Sequence, residues 1–255
     1  MRVVIKLGGT LLDIRESLTQ LTGEITTAAA HHEVVVVHGG GKQMTRFLAE
    51  RGVESTFVNG LRVTTPDVID AVVKVFAGSV NAQLVTAFRA AGAQPVGLSG
   101  LSAGLVDAVQ LDPALGQVGK PVSSDGRLLE ILVRERYLPV VACVAGDANG
   151  AIFNVNGDQM AVACAAGYHA EKLIFLTDVE GVRGATGHTL PTLTMEQAHE
   201  LIRAGIATGG MQAKLESATS ALTQNVREVL IAPGSSPGIV ARALGTTPVG
   251  TRIIL

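Results

Sequence analysis

Short β-branched runs alternate with amphipathic segments along this chain, and that alternation limits its fold more than any other feature. Val3–Leu7, Val34–Val37, Gln94–Leu98, Leu138–Ala142, Lys172–Thr177 and Arg227–Ile231 each read as strands. Several are apolar on both faces, so they belong inside a sheet covered on both sides. Between them lie segments with helical spacing. Asp13–His31 puts Leu18, Leu21, Ile25 and Ala28 on one face. The longest such segment runs from Thr65 to about Ala91, with Thr65 as N-cap, Pro66 in the first turn and Gly92 as terminator. Strand–helix alternation with short links predicts a mainly parallel sheet in an α/β fold. The 255 residues suit one such domain with two lobes. The loop-rich stretch Ala142–Asp158 is the expected lobe boundary.

Composition narrows the function. Apolar residues are 47% of the chain and charged ones 16%, which favours a large core over disorder. A net charge of −2 without a basic face argues against nucleic acid as a partner. Cys143 and Cys164 sit in Ala/Val-rich runs and read as buried core residues, with neither a disulfide nor a zinc site implied. The histidines show no metal-binding spacing. The start, MRVVIKLGG, does not read as a signal peptide, and no apolar run approaches a membrane span, so a cytoplasmic setting without membrane contact is expected.

In parallel sheets, ligands bind beyond the carboxyl ends of strands. Gly8-Gly9 follows the first strand and Gly39-Gly40-Gly41 the second. The second loop precedes Lys42, yet it is not a Walker loop: Val36 and Gln43 stand where that motif needs glycine and a hydroxyl. A dinucleotide fingerprint is also absent, because Met44 occupies the third glycine position. Both loops could still be plain strand-to-helix turns. Paired, with Lys6 alongside, they fit two anion nests around a transferring phosphoryl group. Lys6 is the single cation in an apolar strand, so it should face a cleft or an acid. Asn154, Asn156 and Asp158 alternate and so share one side of an extended segment, although one of them could be an N-cap. Lys214 is expected in the first turn of a helix after Gly209-Gly210, where an incoming anion would offset the unfavourable dipole; alone it reads as a surface lysine. Lys42 reads as the start of a solvated helix.

IKLGG, VVHGGG, NGLRVTTPD, GLSG, NVNGDQ, LTDVEGV and GGMQAK occur here in order. This set resembles the N-acetylglutamate kinases of the amino acid kinase superfamily, over essentially the whole chain. The resemblance implies a three-layer α/β/α sandwich with a mainly parallel, roughly eight-stranded central sheet. It implies a single domain, residues 1–255. An N-lobe of about 1–150 would bind the acyl amino acid and dimerise through the long helix, and a C-lobe of about 151–255 would bind ATP. The implied activity is ATP-dependent phosphorylation of the γ-carboxylate of N-acetyl-L-glutamate, the second step of arginine biosynthesis, with Mg²⁺ held through the ATP phosphates rather than by protein ligands. By the same resemblance Lys6, Lys214 and Asp158 are catalytic, with Asp158 orienting both lysines. Gly40, Gly41, Arg62 and Asn154 match acceptor-binding positions, Arg62 and Asn154 holding the α-carboxylate. Gly8 and Gly9 match donors around the phosphoryl oxygens. Thr177, Asp178, Val179, Glu180, Gly181 and Val182, with Ile206, Ala207 and Thr208, match the nucleotide side. Gly157 stands where many relatives have alanine. Relatives inhibited by arginine carry an extra helix before the first strand; this chain starts at the strand, so a dimer insensitive to arginine is expected.

Three alternatives remain. A kinase for N-succinylglutamate or carrier-bound aminoadipate would share these motifs. A non-catalytic amino acid sensor on this fold would lack one of Lys6, Asp158 and Lys214, and all are present. A dinucleotide-dependent oxidoreductase lacks its fingerprint.

Overall fold

The computed structural model describes residues 1–255. Its first half contains β1 (Arg2–Leu7), α1 (Arg15–Ala29), β2 (Glu33–His38), α2 (Gly41–Ala49), β3 (Phe57–Val58), β4 (Leu61–Arg62), α3 (Pro66–Ala90) and β5 (Pro95–Ser99). Next come β6 (Val106–Gln110), β7 (Val118–Ser124), α4 (Arg127–Arg134), β8 (Leu138–Ala142), β9 (Val144–Gly146), β10 (Ile152–Val155) and α5 (Gly157–Gly167). The chain ends with β11 (Lys172–Thr177), β12 (Thr192–Thr194), α6 (Met195–Arg203), α7 (Gly209–Thr223), β13 (Glu228–Pro233), α8 (Ile239–Leu244) and β14 (Thr251–Ile254).

The main sheet has eight strands in the order β12-β14-β13-β11-β1-β2-β8-β5. Every pairing in it is parallel except β13 with β14. Helices α1, α3 and α8 pack together on one face, while α4, α5 and α7 cover the other. Val3, Val4, Ile5, Val35, Val36, Val37, Val140 and Val141 are wholly or almost wholly buried between these layers. The parallel sheet covered on both faces that the alternation predicts, and the three-layer sandwich that the resemblance implies, are therefore present, and all six expected strands lie within a residue or two of their expected places. β1 occupies the middle, between β2 and β11, so the carboxyl ends of strands far apart in sequence open on one place.

Three expectations need correction. Ala142–Asp158 is not a loop. β9 and β10 form an antiparallel hairpin inside it, and these strands close a small barrel with β6 and β7. Both strands are short and the turn between them is rich in Asp, Asn and Gly, so the stretch reads as loop, and their further partners β6 and β7 come from earlier in the chain. Second, Pro66–Ala90 is long and apolar enough to cross a bilayer by length and composition, with a mean hydropathy of 1.5 in its most apolar window. Val68, Val72, Val75, Phe76, Leu84 and Phe88 of that helix are buried against the rest of the chain. Third, this helix is not regular: Val73–Val80 is a π-helical stretch. Its start is as expected, with Thr65 capping the N–H of Val68 (3.4 Å) and Pro66 in the first turn.

The β3–β4 hairpin turns at Asn59-Gly60, with φ of 49° and 78°. Asn-Gly is the pair that tolerates two positive φ values in a tight turn. The hairpin ends on Arg62, which is 7% exposed and points inward.

Candidate active site

β1 ends at Lys6-Leu7 in the centre of the sheet. The Lys6 ammonium meets Asp158 Oδ1 at 2.7 Å. Lys214, from α7, donates to Asp158 Oδ2 at 2.9 Å. One carboxylate thus bridges two cations that start 208 positions apart in sequence (214 minus 6). Asp158 is 4% exposed. Burial alone would raise its pKa, but the two ammoniums overcome that and bring the carboxyl down to about 2. Lys6 shows the mirror effect. Burial pulls its pKa down, and the Asp158 charge more than restores it, so Lys6 stays a cation.

Local structure supports this arrangement. Asn156 caps α5: its Oδ1 accepts from the N–H groups of Asp158 (2.8 Å) and Gln159 (3.3 Å). Asp158 then lies in the first turn, where the helix dipole favours a negative charge. Asn154 instead donates to Thr64 Oγ1 at 3.0 Å. The three alternating side chains expected on one side therefore divide into a cap, an ion-pair bridge and a strut to the β4 end. Lys214 is not in the first turn of its helix. α7 begins at Gly209, which places Lys214 in the second turn, where it is a partly buried ion-pair partner and not a surface lysine.

A cavity of about 470 Å³ opens beside this triad. Lys6, Gly8, Gly9, Gly40, Gly41, Arg62, Asn154, Thr177, Asp178 and Lys214 all line it, so ten of the expected site residues converge there. Arg62 has no carboxylate partner. Its guanidinium donates to Gly41 O (3.1 Å), Thr45 Oγ1 (2.8 Å) and Ser55 Oγ, and lies over the Phe57 ring at 4.6 Å. Burial lowers its pKa without making it neutral at working pH. A buried guanidinium without an acid beside a cavity is built to receive an anion.

The glycine loops divide the work. The Gly8 N–H is already used, donating to Leu176 O at 2.9 Å. A Cβ on Gly8 would stand 3.0 Å from that same oxygen, so glycine lets β1 and β11 approach. The N–H groups of Gly9, Gly40 and Gly41 meet no acceptor in the protein and remain available to an anion. Lys42 is exposed, yet it lines the cavity instead of standing apart on a solvated helix.

The remaining positions lie beyond this cavity. Val179 and Ile206 are large exposed apolar side chains (38% and 40%), whereas Val182 and Ala207 are buried. The N–H of Val182 donates to Thr251 Oγ1 at 2.8 Å. Glu180 and Gly181 follow β11, Gly181 with φ of 146°, and Thr208 is the N-cap residue of α7. Sequence reading missed Thr45, Ser55 and Thr64, which hold Arg62 and Asn154. Thr45 carries one usable signal, since it stands one helical turn after Gly41 and shares its face.

Residues 1–233 match a family profile described as the amino acid kinase family. A protein named acetylglutamate kinase from Solibacter usitatus is 56% identical over 255 residues, covering 100% of this chain and 99% of that one. A protein of the same name from Roseobacter denitrificans is 39% identical over 236 residues, covering 92% and 82%. Among solved structures, N-acetylglutamate synthase from Neisseria gonorrhoeae, complexed with coenzyme A and N-acetyl-glutamate, superposes with a TM-score of 0.87 at 24% identity. That match covers 99% of this chain but spans only 59% of the synthase, and it speaks to fold alone. Carbamate kinase from Giardia does so at a TM-score of 0.73 and 16% identity.

Proposed function

The chain belongs to the amino acid kinase family, and from that premise we propose how its site works as an acetylglutamate kinase. The enzyme transfers the γ-phosphoryl group of ATP to the γ-carboxylate of N-acetyl-L-glutamate, giving N-acetyl-L-glutamyl 5-phosphate in arginine biosynthesis. The full-length relative at 56% identity supports the acceptor. The observation that carries the mechanism is the buried Asp158 carboxylate held between Lys6 and Lys214 at the cavity wall.

An acceptor carboxylate is already ionised at neutral pH, so no general base is required. Its oxygen forms the new bond to the γ-phosphorus as the bond to the bridging oxygen breaks, and that electron pair leaves on ADP. The obstacle is the approach of anions, so catalysis is positioning and charge neutralisation. Lys6 serves the acceptor side and Lys214 the nucleotide side. Asp158, with its pKa near 2, stays charged, fixes both ammoniums and accepts no proton. The free N–H groups of Gly9, Gly40 and Gly41 receive acceptor and phosphoryl oxygens. Arg62 and Asn154 hold the α-carboxylate.

In this reading residues of about 1–150 bind the acceptor and those of about 151–255 bind ATP. Thr177 and Asp178 face the phosphates. Val179, Glu180, Gly181 and Val182, with Ile206, Ala207 and Thr208, wall the adenosine side, the buried Val182 and Ala207 through their backbone. Mg²⁺ would be carried on the ATP phosphates rather than held by protein ligands. When bound it neutralises phosphate charge. The chain acts as a homodimer through α3.

The deciding experiment is an ATP-coupled assay with hydroxylamine trapping of the acyl phosphate. It compares N-acetylglutamate, N-succinylglutamate, free glutamate and N-acetylaminoadipate. N-acetylglutamate is expected to give the highest kcat/KM. A higher value for any of the others overturns the acceptor assignment.

A further inference from the structure

His38, the last residue of β2, is the one histidine that is fully buried, and the mechanism above leaves it unused. Its Nδ1 lies 2.8 Å from the carbonyl oxygen of Gly39. A carbonyl only accepts, so Nδ1 carries the proton. Nε2 must then accept, and Asn81 Nδ2 stands 2.9 Å away as its donor. The other hydrogen of the Asn81 amide goes to Val140 O, also at 2.9 Å. Turning that amide over would set an oxygen against an oxygen, so its orientation is determined as well. Burial depresses the His38 pKa to about 4, which keeps the ring neutral. The Cys143 thiol completes the surroundings by donating to the His38 carbonyl at 2.8 Å.

The bond to Gly39 has a consequence one atom further on. A trans peptide points its C=O and N–H in opposite directions. With the Gly39 carbonyl turned back to the imidazole, the N–H of Gly40 is turned away from it. That N–H has no protein acceptor, and Gly40 lines the cavity. A rotated Gly39–Gly40 peptide would direct the carbonyl oxygen, in place of a donor, at the incoming anions. On the other flank, α3 closes the space needed to move. A Cβ on Gly40 would stand 2.8 Å from Phe76 Cδ1 and 3.2 Å from Val80 Cγ2, both in the π-helical stretch, and Asn81 follows that stretch directly.

We propose that His38 and Asn81 are positioning residues for phosphoryl transfer: Asn81 fixes the His38 tautomer, and His38 holds the Gly39–Gly40 peptide with its N–H toward the phosphoryl site. The proposal rests on the kinase reading and adds to it a control on one backbone donor.

Two substitutions separate the ring nitrogens. His38→Asn keeps an N–H donor near the Nδ1 position and loses the link to Asn81. His38→Gln keeps a group near Nε2 and loses the donor to Gly39. His38→Gln is expected to lower kcat by about 10²-fold, the effect of losing one oxyanion-type donor, with KM for ATP and acceptor changed less than about threefold. His38→Asn is expected to retain at least about tenfold more kcat than His38→Gln. Equal kcat in the two variants, or near-native kcat in a folded His38→Gln, overturns the proposal. A purely structural role would lower melting temperature in both and leave kcat of the folded fraction alone. Should either variant fail to fold, the native protein still decides. Imidazole ¹⁵N spectra are expected to show the buried histidine protonated at Nδ1 and unchanged between pH 5.5 and 8; the Nε2–H tautomer would refute the assignment. A native protein that forms no acyl phosphate fails the kinase reading instead, a result separate from these.

Discussion

Asp158 shows how much one side chain determines here. Removing its charge leaves Lys6 and Lys214 facing each other in a poorly solvated wall. Breaking a buried pair by deleting one partner costs about 3–5 kcal/mol. Asp158→Asn is therefore expected to lower the melting temperature and kcat together. Lys6→Ala and Lys214→Ala each leave the carboxylate one cation, so the fold survives while phosphoryl charge loses a partner. Steady-state kinetics are expected to show kcat reduced by about 10²-fold or more in each; near-normal turnover in either would remove that lysine from the mechanism. Acid titration tests the same triad by another route. The two ammoniums hold the folded carboxyl at about 2, below the ordinary carboxylate value of 3.8. The unfolded state thus binds the proton first, and the ion pairs stabilise the fold fully above about pH 4 and lose that contribution as pH falls toward 2. Circular dichroism is expected to show Asp158-dependent loss of stability only in that window. Lys6 and Asp158 were legible as charges in apolar surroundings, which must find each other or a cleft. Arg62's supports were not, because Ser55 and Thr45 become its partners only through the hairpin's return over α2.

At the scale of elements, legibility follows locality. The central strands read directly because continuous β-branched runs have one sensible destination. β12 and β14 are short and pair with distant segments, and in the barrel β9 and β10 are short while β7 is broken up by Gly and Pro, so little local announces them. The π-helical stretch of α3 was equally silent: the valines, Gly78 and Ser79 of Val73–Val80 lower helix propensity without specifying a widened turn, which shows in the packing of Phe76 and Val80 over Gly40. That packing makes a prediction. Gly40→Ala would place a methyl group inside contact distance of the Phe76 ring, and overpacking of this kind costs about 1–3 kcal/mol. The variant is expected to unfold at lower temperature and to turn over more slowly, because the loop carrying the Gly40 and Gly41 donors must shift. Phe76→Leu in the same chain opens room for the methyl, so the double variant is expected to recover part of both losses. Strict additivity in that double-mutant cycle would show that the two positions do not meet as described.

For the whole molecule the question is what covers α3 and β5. β5 pairs with β8 on one side only, so its other edge carries unpaired backbone groups. α3 lies beside it and exposes Gly78, Ser79, Ala82 and Thr86, small side chains that permit close approach of another helix. Ala77 and Val85 lie half-buried next to them. A second copy of the chain related by a two-fold axis would place α3 against α3 and cover both strand edges, an isologous contact that closes on itself. Sedimentation is expected to give twice the chain mass at micromolar concentration. Ala82→Arg would bring two guanidinium groups together at such an interface while leaving the buried face of α3 untouched. It is expected to shift the protein to the chain mass without a comparable change in its circular dichroism. The π-helical stretch joins that outer face to Gly40, so separation of the copies should also lower kcat, by less than the loss of a lysine. A native protein that sediments at the chain mass, or an Ala82→Arg variant that remains at twice that mass, places the contact elsewhere.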